Sequence, residues 1–375
     1  ARVSRYWDER QDGDAAQALA EAGLEAGVLT RFKARLKAAL PVSGALWLSV
    51  PEHKLKALAF ELKRRGYGVR LSRPEYPMSG PSRPVSAEPA RGSTIHLRRL
   101  SEFAQLAPEA DLSLVRIEAD QGVSEAKVMA ALEYVRWWAG DSLKAPVLIA
   151  LGLGDAPAGK ARSPLSRLID RLILDNIGIV LPAGNAGPAD KTVSAASQSD
   201  LAVVVGAASR EKGLQFYSSR ASAEEPLISW TDLVDDLQPG APALKEAAAS
   251  VPAYGTAVAA LRSAEKMAAL ARKLSERLVS QNGHLPDGYF LYLKALIKHM
   301  VEPMAGHGEH EVGSGFFGDD GKVMAILERL LAEPERLARE ARILIKMARR
   351  RHAPAAAPKP APGGRARLAG ALRRG

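Results

Sequence analysis

From about residue 106 the apolar positions of the chain alternate between two patterns. The first is a short unbroken run, seen in "DLSLVRI" (111–117), "APVLIALGLG" (145–154), "IGIVLPAG" (177–184) and "LAVVVGAAS" (201–209). These runs predict strands, and the unbroken run at 145–154 predicts one covered on both faces. The second pattern is helical spacing. "SEAKVMAALEYVRWWAG" (124–140) predicts a helix capped by Ser124, with Trp137 and Trp138 packed in or near the core. In "SPLSRLIDRLILDNIG" (163–178), Ser163 suits the cap, Pro164 the first turn and Gly178 the stop. Leu165, Leu168, Ile169, Leu172 and Ile173 then share one face. Strand and helix alternate, which predicts an α/β domain with a parallel sheet and helices on both faces.

The pattern is looser at the two ends. Residues 14–40 carry apolar positions at helical spacing and predict one or two helices. "GALWLSV" (44–50) predicts a buried strand, and "EHKLKALAFELKRRGYGVRL" (52–71) a helix stopped at Gly66 and followed by a strand. The stretch 73–92 is rich in Pro, Ser and Gly and predicts a surface loop. Near the other end, helices are expected from about 256 to 280, in "YFLYLKALIKHMV" and in "KVMAILERLLAEPERLAREARILIKMARRR". The expected division is an N-terminal helical segment (1–43), an α/β domain (44–345) and a Pro/Ala-rich basic tail (346–375).

Composition changes this picture in three ways. Apolar residues make up 47% of the chain, so a sizeable core is affordable and global disorder is excluded. There is no cysteine, which excludes disulfides, thiolate metal sites and cysteine nucleophiles. The net charge of +10 is uneven: nine Lys or Arg and no Asp or Glu lie from Lys346 onward, which leaves +1 for everything before. An acidic partner is therefore expected for the tail rather than for the body. No apolar run is long enough to span a membrane. "ARVSRYWDERQDGD" has no signal-peptide core, so the cytoplasm is the expected compartment.

Several motifs bear on chemistry. Gly152 and Gly154 follow a strand, but the spacing to Gly159 misses a dinucleotide fingerprint and no P-loop Lys follows. A turn explains them without a nucleotide, and no cofactor is expected. Asn185, in "LPAGNAGP", is either a turn residue tolerant of left-handed geometry or an amide donor aimed at a developing oxyanion. "GHGEHEVGSG" (306–315) offers His307, Glu309, His310 and Glu311, but among glycines it predicts a solvated loop, not a metal site. "YGTAVAA" (254–260) brings a Gly-Thr turn into a long helix and presents Ala257, a residue without chemistry.

"LAPEADLSLVRI", "VLIALGLG", "IGIVLPAGNAGP", "LAVVVGAASREKGLQFYSSRA" and "YGTAVAA" occur in one order over residues 106–275, and in this the chain resembles the subtilisin-like serine proteases. The family shows A-P-x-A-x-L before a strand, S-L-G-G after the next, and A-x-G-N at the oxyanion hole. A V-G-A segment and G-T-S-M-A with the nucleophilic serine follow. The resemblance implies a three-layer α/β sandwich with a mostly parallel sheet and helical additions at both ends. It implies oxyanion-hole duty for Asn185, the nucleophile position at Ala257, and pairing of an extended peptide along Gly152, Leu153 and Gly154. The family's H-G-T-H is best matched by "RGSTIHL", which puts Arg91 at the histidine position, where it cannot accept a proton. His96 is five residues on and does not fit the pattern. The family's aspartate ends a strand; "ALWLSVPEH" is the expected equivalent, with Glu52 as its nearest carboxylate.

A triad acts as a unit. The expectation is a pseudoprotease that binds a peptide or protein in a vestigial cleft, or a scaffold acting through its tail. The alternative is an active serine endopeptidase carrying a Ser-to-Ala substitution at 257.

Overall fold

The computed structural model describes residues 2–8, 24, 26–40, 45–66, 69, 74–75, 111–116, 123–139, 146–151, 163–234, 255–282, 285, 287–318 and a few positions between 339 and 346. In chain order the described elements are β1 (Arg2–Asp8), α1 (Ala26–Phe32), β2 (Arg35–Leu40), β3 (Ala45–Ser49), α2 (Glu52–Arg64), β4 (Pro74–Glu75), β5 (Asp111–Arg116), β6 (Val123–Ser124), α3 (Glu125–Ala139), β7 (Val147–Ala150), α4 (Pro164–Leu174), β8 (Ile177–Pro182), β9 (Val203–Ala208), β10 (Trp230–Leu233), α5 (Thr256–Asn282), α6 (Tyr289–Lys298) and α7 (Glu309–Val312).

The body is an α/β fold in which a four-stranded parallel sheet, ordered β10-β9-β8-β7, packs against helices. β8 and β9 are buried at all six positions, which requires cover on both faces and accounts for their unbroken apolar sequence. β7 lies at the edge of this sheet among the described residues and is only half-buried, so the expectation of full cover fails for that strand. One apolar cluster joins α3, α4, α5 and α6 to β7, β8 and β9.

The start of α4 follows the sequence signals. Ser163 Oγ accepts the Ser166 N–H at 3.0 Å with Pro164 in the first turn, and Glu125 Oε1 accepts the Leu165 N–H at 3.1 Å. Its end does not. α4 stops at Leu174, and Asn176 takes the left-handed conformation, with φ 65°. Gly178 lies inside β8, where a Cβ would come within 2.4 Å of the Phe290 ring. Asn176 also joins two helices, because its Oδ1 accepts the Gly288 and Tyr289 N–H groups at the start of α6, at 2.7 and 3.0 Å. Trp137 is 75% exposed, so it is not a core residue.

The first part of the chain departs further from its pattern. Of the expected helices over 14–40, the described residues hold α1 and then the strand β2, which pairs antiparallel with β3. Leu24, Val28, Leu29, Ala34, Leu58 and Leu62 form a separate small core, which spans the expected boundary at residue 43. β1 pairs in parallel with β5.

Candidate functional site

The site lies beyond the carboxyl ends of β8 and β9, where α/β sheets place ligands. β8 ends at Pro182, and Ala183, Gly184 and Asn185 follow. Gly184 has φ 119°, a backbone state closed to other residues, and this aims the next side chain back toward α5. The Asn185 side chain meets the start of α5: its Oδ1 accepts the Thr256 N–H and the Thr256 hydroxyl, both at 3.0 Å. Thr256 Oγ1 in turn accepts the Gly184 N–H at 3.1 Å. Thr256 is fully buried, so these bonds are made away from water, and the Asn185 carbonyl oxygen is committed.

The turn 215–221 holds the loop from its other side. Ser219 N–H donates to the Gly184 carbonyl at 2.9 Å, Ser219 Oγ accepts the Ala186 N–H at 3.0 Å, and Gly187 N–H donates to the Tyr217 carbonyl at 2.9 Å. Ala257 is the second residue of α5 and is 2% exposed. Its methyl can neither attack a carbonyl nor donate a hydrogen bond. The structure therefore brings Asn185 and Ala257 to one place. Gly152, Leu153, Gly154, Arg91 and His96 lie outside the described residues.

The aspartate position needs correction. β3 is not part of the parallel sheet but one arm of an antiparallel pair, and Glu52 is an exposed residue at the start of α2. The strand paired in parallel with β5 is β1, and β1 ends on Asp8, in register with Arg116.

"GHGEHEVGSG" is not a solvated loop. It forms α7, whose Glu311 is 15% exposed and closes back on the Gly308 N–H at 3.1 Å. Arg220 Nη1 meets the same carboxylate at 2.9 Å, and His307 Nδ1 lies 3.4 Å from it. Since Arg220 follows Ser219, α7 buttresses the turn that holds the Asn185 loop. His310 stands 3.8 Å from Asp190 on the far side of that loop. Among the described residues no three His, Asp or Glu side chains gather to hold a metal ion.

Burial works against the Glu311 charge, but the Gly308 N–H, Arg220 and His307 outweigh it and hold the carboxyl below the usual glutamate range. A folded-state pKa below the unfolded value means that the folded chain binds fewer protons. The stability this contributes is present above the unfolded glutamate pKa of about 4.3 and is lost as pH falls through the folded value. The stability gap between the wild type and Glu311→Gln should therefore be constant from pH 8 to about 5 and close below about 4. Urea titrations of both proteins across that range would measure it.

Sequence reasoning missed Thr256, Ser219, Arg220 and Glu311 as supports of this site. The signal was present in the Ser218–Ser219 and Gly255–Thr256 pairs, but a pair of small residues names no partner.

No protein-family model matches the chain, and no curated protein is significantly similar to it. Among solved structures it is similar to a lanthipeptide protease, at 14% identity and a TM-score of 0.48, over 64% of this chain and 76% of that one. It is also similar to the patellamide maturation protease PatA, at 18% identity and a TM-score of 0.43 over 60% and 76% of the two chains. The prenylagaramide maturation protease PagA is 16% identical, with a TM-score of 0.43 over 59% of this chain and 74% of its own. At these identities the likeness is one of fold.

Proposed function

We propose that the chain is a subtilase-fold pseudoprotease, which holds an extended peptide or protein segment beside Asn185 without cutting it. The observation that carries this reading is the pairing of a retained frame with an absent nucleophile. Thr256 and Asn185 keep the hydrogen bonds that fix an amide at the mouth of α5, while position 257 between them and the helix body is a buried methyl. Covalent catalysis needs a hydroxyl or thiol activated by a base. Arg91 at the expected histidine position supports the same reading. Asp8 removes the missing aspartate from its grounds and favours the alternative, an active endopeptidase with a Ser-to-Ala substitution at 257. The base encoded at 257 in the native gene separates the two.

Solved structures that the chain is similar to include maturation proteases, and a peptide is the ligand class to test first. Binding would use main-chain pairing along Gly152, Leu153 and Gly154, as strand addition does, and needs no catalytic group. The experiment is a fluorescence-anisotropy screen of extended peptides, with mass spectrometry of the recovered peptide. The expected result is binding with the peptide intact, weakened about twofold to tenfold by Asn185→Ala, since one hydrogen bond contributes about 0.5–1.5 kcal/mol. Cleaved peptide would favour the endopeptidase, and no binding by any peptide would contradict the reading.

A further inference from the structure

The charge of the body is not evenly spread. Residues 24–69, which share the small core, hold nine Lys or Arg against three Asp or Glu. Helix α2 organises this charge. Leu58 and Leu62 face that core, and the opposite side presents His53, Lys56, Phe60, Lys63 and Arg64 to solvent. Positions 56, 60 and 63 recur at helical spacing, so a phenylalanine stands between two lysines on one stripe. Phe60 is 71% exposed. Lys54 Nζ reaches the Arg31 carbonyl at 3.4 Å, which brings the exposed Arg31 and Lys33 beside the start of the stripe. Of the two acidic residues of α2, Glu52 is exposed one turn before Lys56, and Glu61 is met by Arg64 at 2.9 Å and by Arg65 at 2.7 Å. Hydrogen bonds from those two arginines hold its carboxyl down to about 2, so it stays paired at every working pH.

We infer that this face of α2 docks on an anionic lipid surface, with Phe60 set among the headgroups and Lys56 and Lys63 paired with lipid anions. The shape of the face selects that occupant. Among the described residues it is the convex side of a single helix and forms no groove for an acidic peptide. Among the described residues it carries one exposed aromatic ring, whereas single-stranded nucleic acid is held by several rings that stack successive bases. A lone protruding ring encircled by long cationic side chains suits a surface that yields to the ring and is negative around it.

The experiment is co-sedimentation of the full chain with phosphatidylcholine vesicles that contain about 30% phosphatidylserine, and with pure phosphatidylcholine vesicles, at near-physiological salt. The chain should bind the anionic vesicles and not the neutral ones. Lys56→Glu combined with Lys63→Glu should weaken binding at least twentyfold, from about fivefold per cation removed. Phe60→Ser should weaken it roughly tenfold, the loss of one inserted aromatic ring. All three side chains are exposed, so both variants should melt as the wild type does. Absence of binding, equal binding to both vesicles, or unchanged binding by both variants would overturn the inference. Tighter, stripe-dependent binding to a single-stranded oligonucleotide or to polyglutamate would overturn it in favour of that class of partner.

Discussion

Lys266→Met should destabilise the protein by about 3–5 kcal/mol, the usual result of leaving one member of a buried ion pair without its partner. Lys266 is 5% exposed and Asp232, on β10, is fully buried. Lys266 Nζ lies 2.7 Å from Asp232 Oδ1 and also donates to the Phe317 carbonyl, with the Phe317 ring 5.0 Å away. Ser263 Oγ donates to Asp232 Oδ2 at 2.7 Å while accepting the Trp230 indole N–H at 3.0 Å. These bonds pin α5 to β10 and to the segment after α7. Burial pushes the Asp232 carboxyl up, and Lys266, Ser263 and the Leu233 N–H pull it back. The balance is already upward with Lys266 in place, and without Lys266 it moves further up. A carboxyl raised in the folded state contributes stability that is present at low pH and lost as pH rises through the folded value. The variant should therefore come closer to the wild type at pH 5 than at pH 8. Adding Asp232→Leu should restore most of the loss, because an apolar pair of similar volume needs no compensation. A loss below about 1 kcal/mol for Lys266→Met alone, measured by denaturant unfolding, would show that the pair is more hydrated than the structure has it.

Gly255→Ala should have a large effect at the site. Gly255 has φ 59°, and left-handed backbone costs an L-residue about 1–2 kcal/mol. A Cβ there would stand 2.5 Å from Asn185 Oδ1 and 2.8 Å from the Tyr217 ring. Both neighbours are tied, Asn185 by Thr256 and Tyr217 by the Gly187 N–H on its carbonyl, so relief must come from breaking the Asn185–Thr256 bonds. With the strain included, the expected loss is about 2–4 kcal/mol, and the frame that holds the amide is lost with it. Peptide affinity should then fall further than in Asn185→Ala. A Gly255→Ala protein with wild-type stability and affinity would mean that Asn185 is not fixed by α5.

These two sites show what the sequence reveals and what it hides. β8 and β9 are legible because strands covered on both faces must be apolar throughout, and α4 because Ser163 and Pro164 mark its start. The end of α4 is not legible: Asn176, not Gly178, takes the left-handed turn, and the nearness of Phe290 and Leu148 explains the glycine. β10 is hidden because "WTDL" buries an aspartate whose counter-ion lies 34 residues away, a contact that no local periodicity records. β1 and β2 are hidden because polar positions interrupt them, and the first of these strands carries Asp8. At the site, the motif order points to Asn185 and Ala257, but the bonds that join them span 71 residues and belong to Thr256. Trp137 shows the opposite failure, since an apolar position within a helical pattern need not face the core.

The most direct test of the central claim is the reaction of the Ala257→Ser variant with a fluorophosphonate probe, run beside peptide hydrolysis by the same protein. The probe labels only a serine that a neighbouring base has activated. With an arginine at the expected histidine position, the variant should remain unlabelled and should not turn over peptide, and the unsubstituted chain should behave in the same way. Labelling of the variant at position 257, together with turnover, would mean that a working base and orienting carboxylate stand around α5, and would contradict the pseudoprotease reading.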